Sequence, residues 1–153
     1  MEGFGLRAIP QQRSVLLVDD DAGDTLMIRE ALETFAPETA VAAVGDGVDA
    51  LRYLRRQDEF AGCPRPDLVL LDLNMPRKDG REVLAEVKAD TGLRSIPVVV
   101  LTTSGAGEDI ARSYDLHANA YVTKPADIDG LTSVVRCIER FFGGVVQPPP
   151  RLL

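Results

Sequence analysis

The chain has 153 residues, 45% of them hydrophobic, two cysteines, no tryptophan and a formal net charge of −7. This size suits one domain able to bury a core without staples, and the acidic balance argues against non-specific nucleic-acid binding, which needs basic surface. No apolar run approaches the roughly 20 residues that span a bilayer, and residues 1–13 lack the basic start and apolar centre of a signal peptide. Cys63 and Cys137 lie far apart in no metal-ligand spacing, which fits two reduced thiols in a cytoplasm better than a disulfide framework. The expectation is a soluble, cytoplasmic domain with no membrane and no nucleic-acid partner.

Residues 1–13 read as a tail. Gly3 to Ala8 formally matches the G-x-G-x-x-A dinucleotide pattern, but no strand precedes it, and that motif has meaning only between a strand and a helix. Val15 to Val18 is a short apolar run ending in Asp19-Asp20-Asp21. Residues 24–35 carry a helical apolar stripe, with Asp21 or Asp24 as its cap, and Pro37 ends it. Thr39 to Val44 predicts a weaker strand, followed by a turn at Gly45-Asp46-Gly47 and a helix bearing Val48, Leu51 and Leu54. Gln57 to Pro66 is polar and reads as a loop of about ten residues, long for such a connection.

Leu68 to Leu71 is apolar without alternation, the signature of a strand covered on both faces, and it runs into Asp72. Met75-Pro76 and Asp79-Gly80 then mark a loop. Val83, Leu84 and Val87 predict a third helix stopped near Gly92. Val98 to Leu101 is a second continuous apolar run, ending in Thr102-Thr103-Ser104. A short helix over 108–116, a strand over 118–123 ending in Lys124-Pro125, and a helix from about Asp127 to Phe142 complete the pattern. Residues 143–153 hold Gly143-Gly144 and Pro148-Pro149-Pro150 and read as a second tail, leaving 14–142 as the domain.

Five strand–helix alternations with short connections predict an α/β fold, a (βα)5 parallel sheet between helices with right-handed crossovers. With the doubly wound order 2-1-3-4-5 the second strand is an edge, and the other four carboxyl ends, where ligands bind in such sheets, lie side by side. Those ends carry Asp19 and Asp20, Asp72, Thr102 and Lys124. Carboxylates this close take up a proton or a cation, and an all-oxygen site suits Mg²⁺ better than a transition metal. A carboxylate, a divalent cation, a lysine and a hydroxyl around one point describe a site for a transferring phosphoryl group, with Asp72 the natural nucleophile.

VDDD at 18–21, LLDLNMP at 70–76, VLTTS at 100–104 and YVTKP at 121–125 together resemble the receiver domain of two-component response regulators, across residues 14 to about 142. REVLAEVK at 81–88, PRPDL at 64–68 and YDLHANAYVTKP at 114–125 are similar to small stand-alone regulators paired with bacterial phytochrome histidine kinases. The resemblance implies a flavodoxin-like fold and phosphorylation of Asp72 by a sensor histidine kinase. It implies Mg²⁺ held by Asp20 and Asp72, by Asp19 through water and by the Asn74 carbonyl. It implies that Lys124 pairs with a phosphoryl oxygen, that Thr102 and then Tyr121 switch inward, and that Lys124-Pro125 is a cis bond. The resemblance also places Asn74 and Ser104 beside the site, at positions that tune phosphate loss in such receivers.

The chain departs from many receivers in carrying Ala126 after Pro125, where a large aromatic is common. The residues after 142 are too few and too proline-rich for an output domain, so output is expected through surface contacts. The apolar last helix, with Phe141 and Phe142, points to a homodimer through the helix four, strand five and helix five face. Three other readings stand beside the receiver. An aspartate-nucleophile phosphohydrolase usually needs a second acid two residues after the nucleophile, where this chain has Asn74. A pseudo-receiver would bind without phosphate, and a nucleotide carrier would need a glycine-rich loop after strand one. The duller roles are a cap for Asp21, strand residues for Thr102 and Thr103, a solvated Lys124, a core Tyr121 and a surface His117.

Overall fold

The structure, a computed structural model, describes residues 12–150, so the glycine pattern at 3–8 lies outside the described residues. Elements alternate as expected: β1 Ser14–Val18, α1 Ala22–Phe35, β2 Ala40–Val44, α2 Gly47–Leu54, β3 Leu68–Leu71, α3 Gly80–Ala89, β4 Val98–Thr102, α4 Gly107–Asp115, β5 Ala120–Thr123 and α5 Ile128–Arg140. The five strands form one parallel sheet in the order β2-β1-β3-β4-β5. Every residue of β1, β3 and β4 is buried, which is why those strands read as unbroken apolar runs.

Successive residues feed opposite layers. Leu16, Val18, Val69, Leu71, Val98 and Val100 pack with Leu51 and Leu54 of α2 and Val83, Leu84 and Val87 of α3. Val15, Leu17, Leu68, Leu70, Val99 and Leu101 pack with Ile28 and Leu32 of α1 and Leu131, Val135 and Ile138 of α5. Each such side chain, fully buried, contributes about 1.5–3 kcal/mol, so the sheet is fixed in register from both sides. β2 is the edge, alanine-rich and only partly buried.

Aspartates start four helices. Asp21, Asp46 and Asp127 accept N–H bonds from Asp24 (2.9 Å), Asp49 (2.8 Å) and Gly130 (2.6 Å), and Asp79 forms a capping box with Glu82. Such a cap contributes about 1 kcal/mol. α4 starts at Ala106 without a side-chain cap and buries only Ser113 along its length. It is the helix least tied to the core, and it follows the loop after β4 that carries Thr103 and Ser104.

Four local expectations need correction. The segment 57–66 is not plain loop: Asp58–Phe60 forms a 3-10 turn, because Arg52 pairs with Asp58 and Glu59 and Phe60 packs on Tyr53, ring centroids 5.4 Å apart. The last α-helix closes at Arg140, not Phe142, and a wider turn over Phe141–Val145 continues it, tied by the Val146 N–H to the Phe141 carbonyl at 2.8 Å. Thr39 and Ala118 fall just outside their strands. All peptide bonds among the described residues are trans, Lys124-Pro125 included. Trans is the intrinsic preference of an X–Pro bond, and the Lys124 N–H stays paired with the Thr102 carbonyl at 2.6 Å.

Gly80, the first residue of α3, lies against the site strand. A Cβ there would overlap the Asp72 carbonyl oxygen and sit 2.7 Å from the Leu73 Cα, both rigid backbone. Gly80→Ala should therefore destabilise the fold by about 1–3 kcal/mol, as overpacking does, read as a lower urea midpoint with unchanged slope. An unchanged midpoint would show that this contact does not constrain the Asp72 backbone.

A candidate phosphoryl-acceptor site at the strand ends

Register brings the polar ends together. Val18 of β1 pairs with Leu71 of β3, and Leu71 with Val100 of β4. Asp19 and Asp72 therefore leave the sheet side by side, and the Asp72 N–H donates to the Val18 carbonyl at 2.9 Å. Thr102 pairs with Thr123, which sets Lys124 beside the end of β4. Asp19, Asp72, Thr102 and Lys124 are all buried, and Asp20 is exposed at the rim.

Oxygens of Asp19, Asp20 and Asp72 lie within 4.8 Å of one another. The Lys124 ammonium donates to Asp19 Oδ2 at 2.7 Å, Asp24 Oδ2 at 2.9 Å and Asp72 Oδ2 at 3.5 Å. Burial pushes the Asp19 carboxyl above the ordinary carboxylate range, and the hydrogen bonds from Lys124 and the Asp21 N–H only partly offset this. Burial also pulls on Lys124 in the direction of losing its proton, but its bonds to Asp19 and Asp24 and the charges of Asp19 and Asp72 win, so it stays a cation. Carboxylate donors with no histidine or cysteine among them fit a hard, oxygen-seeking divalent cation. His117, exposed after α4 with φ 72°, takes no part.

The hydroxyl side of the site is looser. Thr102 is 0% exposed, yet its Oγ1 has no hydrogen-bond partner, a spare donor held at the site. Thr103 is exposed and Asn74 lies exposed in the turn after β3. Ser104 Oγ donates to Asp109 Oδ2 at 2.6 Å, and Arg81 Nη2 donates to Asp109 Oδ1 at 2.6 Å, tying the loop and α4 to α3. Those two bonds, Ser104 first, hold the Asp109 carboxyl below its usual range. The Tyr121 hydroxyl donates to the Ser104 carbonyl at 2.8 Å, so Tyr121 is half-buried and engaged with the loop, not merely core. Pro125 is half-buried beside Lys124.

Residues 15–136 match the response regulator receiver domain. The chain belongs to that family. Response regulator Rcp1 from Synechocystis sp. is 44% identical over 135 residues, 88% of this chain and 92% of that protein. Among solved structures, the phosphorylated cyanobacterial phytochrome response regulator RcpA is 47% identical with a TM-score of 0.88, over 91% of this receiver and 99% of that chain. The Mn²⁺-bound form of Rcp1 is 44% identical with a TM-score of 0.85, over 90% and 99%. This receiver is thus similar to one protein caught phosphorylated and to another caught with a divalent ion.

All four strand ends expected to meet do meet. In the sequence Asp24 reads only as a possible cap, and Asp21 takes that place. Its bond to Lys124 crosses 100 positions, and no local pattern signals such a pairing. Arg81 and Asp109, 28 positions apart on two helices, likewise meet only once those helices are packed.

The raised Asp19 carboxyl has a sign. In the folded chain it keeps its proton to higher pH than in the unfolded chain, so its ionisation destabilises the apo fold as pH rises through that window. A cation needs the ionised form. A divalent cation at about a hundredfold excess over its Kd should add about 2.7 kcal/mol of stability near neutral pH, and this gain should shrink as pH falls through the raised value. Thermal melts with and without the ion across pH check it, and a pH-independent gain would remove Asp19 from the cation's surroundings.

Proposed function

We propose that this receiver accepts a phosphoryl group from a histidine kinase onto Asp72, in a Mg²⁺-dependent reaction, and signals through protein contacts made by residues 14–142. The carrying observation is the convergence of the Asp19, Asp20 and Asp72 oxygens within 4.8 Å beside a buried Lys124. Asp20 and Asp72, Asp19 through water, and the Asn74 carbonyl would hold Mg²⁺, which when bound neutralises phosphoryl charge.

An Asp72 carboxylate oxygen attacks phosphorus, the P–N bond to the kinase imidazole breaks, and the leaving ring nitrogen takes a proton from solvent. Lys124 meets one phosphoryl oxygen, and the unpartnered Thr102 hydroxyl turns to another. Because the loop that follows Thr102 moves with it, the bond from Tyr121 to the Ser104 carbonyl is remade and α4, the least anchored helix, shifts. An open depression of about 500 Å³ lined by Asp20, Thr25, Leu26, Arg29 and Gly45 leads to the acids, room for a protein-borne donor. The likeness to phytochrome response regulators supports a kinase of phytochrome type, and a cytoplasmic setting agrees with the lack, among the described residues, of any helix long and apolar enough to cross a membrane. The domain catalyses its own phosphorylation and dephosphorylation and turns over no other substrate, with Ser104 and Asn74 placed to tune phosphate loss.

Incubation with Mg²⁺ and a small acyl-phosphate donor should give one phosphoryl adduct by intact mass, lost in Asp72→Asn and on chelation. Absence of any adduct would favour the pseudo-receiver, and steady phosphate release from unrelated monoesters the hydrolase. Exposed Tyr114 on α4, Ile128 on α5 and Phe141 just after it support a homodimer on the α4–β5–α5 face. Sizing chromatography should show a dimer that Tyr114→Ser with Ile128→Ser weakens; a monomer at high concentration with and without phosphate would count against it.

A further inference from the structure

An ammonium has three N–H donors and no acceptor, and three carboxylates already stand around Lys124: Asp19 at 2.7 Å, Asp24 at 2.9 Å and Asp72 at 3.5 Å. Its donors are committed before any phosphoryl group arrives. For Lys124 to meet a phosphoryl oxygen, one carboxylate must give way.

The three are not equivalent. The Asp19 side chain is 5% exposed and its other oxygen accepts the Asp21 N–H at 2.9 Å. Stripping Lys124 from it would leave a buried charge short of a partner, which is costly. Asp72 is the residue that receives the group. The Asp24 side chain is 31% exposed in the first turn of α1, behind the Asp21 cap. Water can replace Lys124 there at small cost, and the positive end of the α1 dipole still favours the freed carboxylate. The Thr102 hydroxyl faces no such competition, since it is unpartnered.

We propose that Asp24 is a positioning residue that holds the Lys124 ammonium in the unphosphorylated protein and yields it to the phosphoryl group on Asp72, so that Asp24 sets how readily the domain takes up phosphate. This rests on the reading of Asp72 as the acceptor. The exchange conserves charge at Lys124: one oxygen anion leaves and another takes its place. The carboxylate of Asp24 also repels an incoming phosphoryl dianion, so both effects of Asp24 act in one direction, against the phosphorylated state.

The test compares affinities of the whole chain for Mg²⁺ alone and for a beryllium fluoride phosphoryl analogue in saturating Mg²⁺, followed by fluorine NMR. Asp24→Asn should bind the analogue about tenfold tighter, the worth of one charge-assisted hydrogen bond no longer competed for. Its Mg²⁺ affinity should be equal or slightly weaker, since one nearby negative charge is lost. Asp24→Ser should behave as Asp24→Asn, and Asp24→Glu should restore the wild-type value. A purely structural Asp24 would lower stability without moving the ratio of the two affinities. Equal analogue affinity in wild type and Asp24→Asn, or weaker binding in the variant, would overturn the proposal. A wild type that binds Mg²⁺ but never the analogue would instead bring down the acceptor reading of Asp72, and this proposal with it.

Discussion

The Lys124 ammonium, 4% exposed among carboxylates at the ends of the central strands, is the interaction on which the rest of this molecule depends. Asp19 and Asp72 are placed next to each other by strand pairing whether or not their charges favour it. Without a cation between them, burial and mutual repulsion would force protonation or open the end of the sheet. Lys124 arrives from β5, more than 100 residues after β1, so the acidic pair is compensated only once the sheet is complete. Removing one member of such a buried pair typically costs about 3–5 kcal/mol. The site is thus a conditional part of the fold: a set of charges that balances only once every strand is in place.

Around that fixed point the molecule is uneven. α1, α2, α3 and α5 have aspartate caps and apolar faces seated on the sheet. α4 has neither, and polar bonds from Ser104 and Arg81 to Asp109 hold its start. Polar ties of this kind exchange for others at little net cost, whereas packed apolar faces do not. A change in charge at Asp72 therefore has one soft neighbour through which to be felt, the stretch from Thr102 through α4 to Tyr121. The free Thr102 hydroxyl and the engaged Tyr121 hydroxyl lie at the two ends of that stretch.

Much of this was legible without coordinates, for physical reasons that differ by element. β1, β3 and β4 were visible because burial on both faces demands continuous apolar residues, and the acids that interrupt those runs mark where the sheet stops. The start of α1 was visible because an aspartate before an apolar stripe satisfies free N–H groups, whereas Asp79, which reads as part of a loop, caps α3. The 3-10 turn at Asp58–Phe60 was hidden, since it depends on Arg52 reaching two acids and on Phe60 finding Tyr53. The end of α5 was misplaced because a glycine pair reads as a stop, whereas the backbone widens its turn through it.

The order of apolar runs and the polar residues that end them determined, by themselves, the doubly wound sheet and the list of groups at its carboxyl edge, because alternation and burial act along the chain. Tertiary structure alone decided which charges touch. Asp24 and Lys124, Arg81 and Asp109, and the Tyr121 hydroxyl and the Ser104 carbonyl are separated by 100, 28 and 17 positions. Coulombic and hydrogen-bond partners are chosen by distances of about 3 Å, and no spacing along a sequence encodes such distances until helices and strands are packed. That is why Asp24 reads as a cap in the sequence and stands in the fold as a third carboxylate on the lysine.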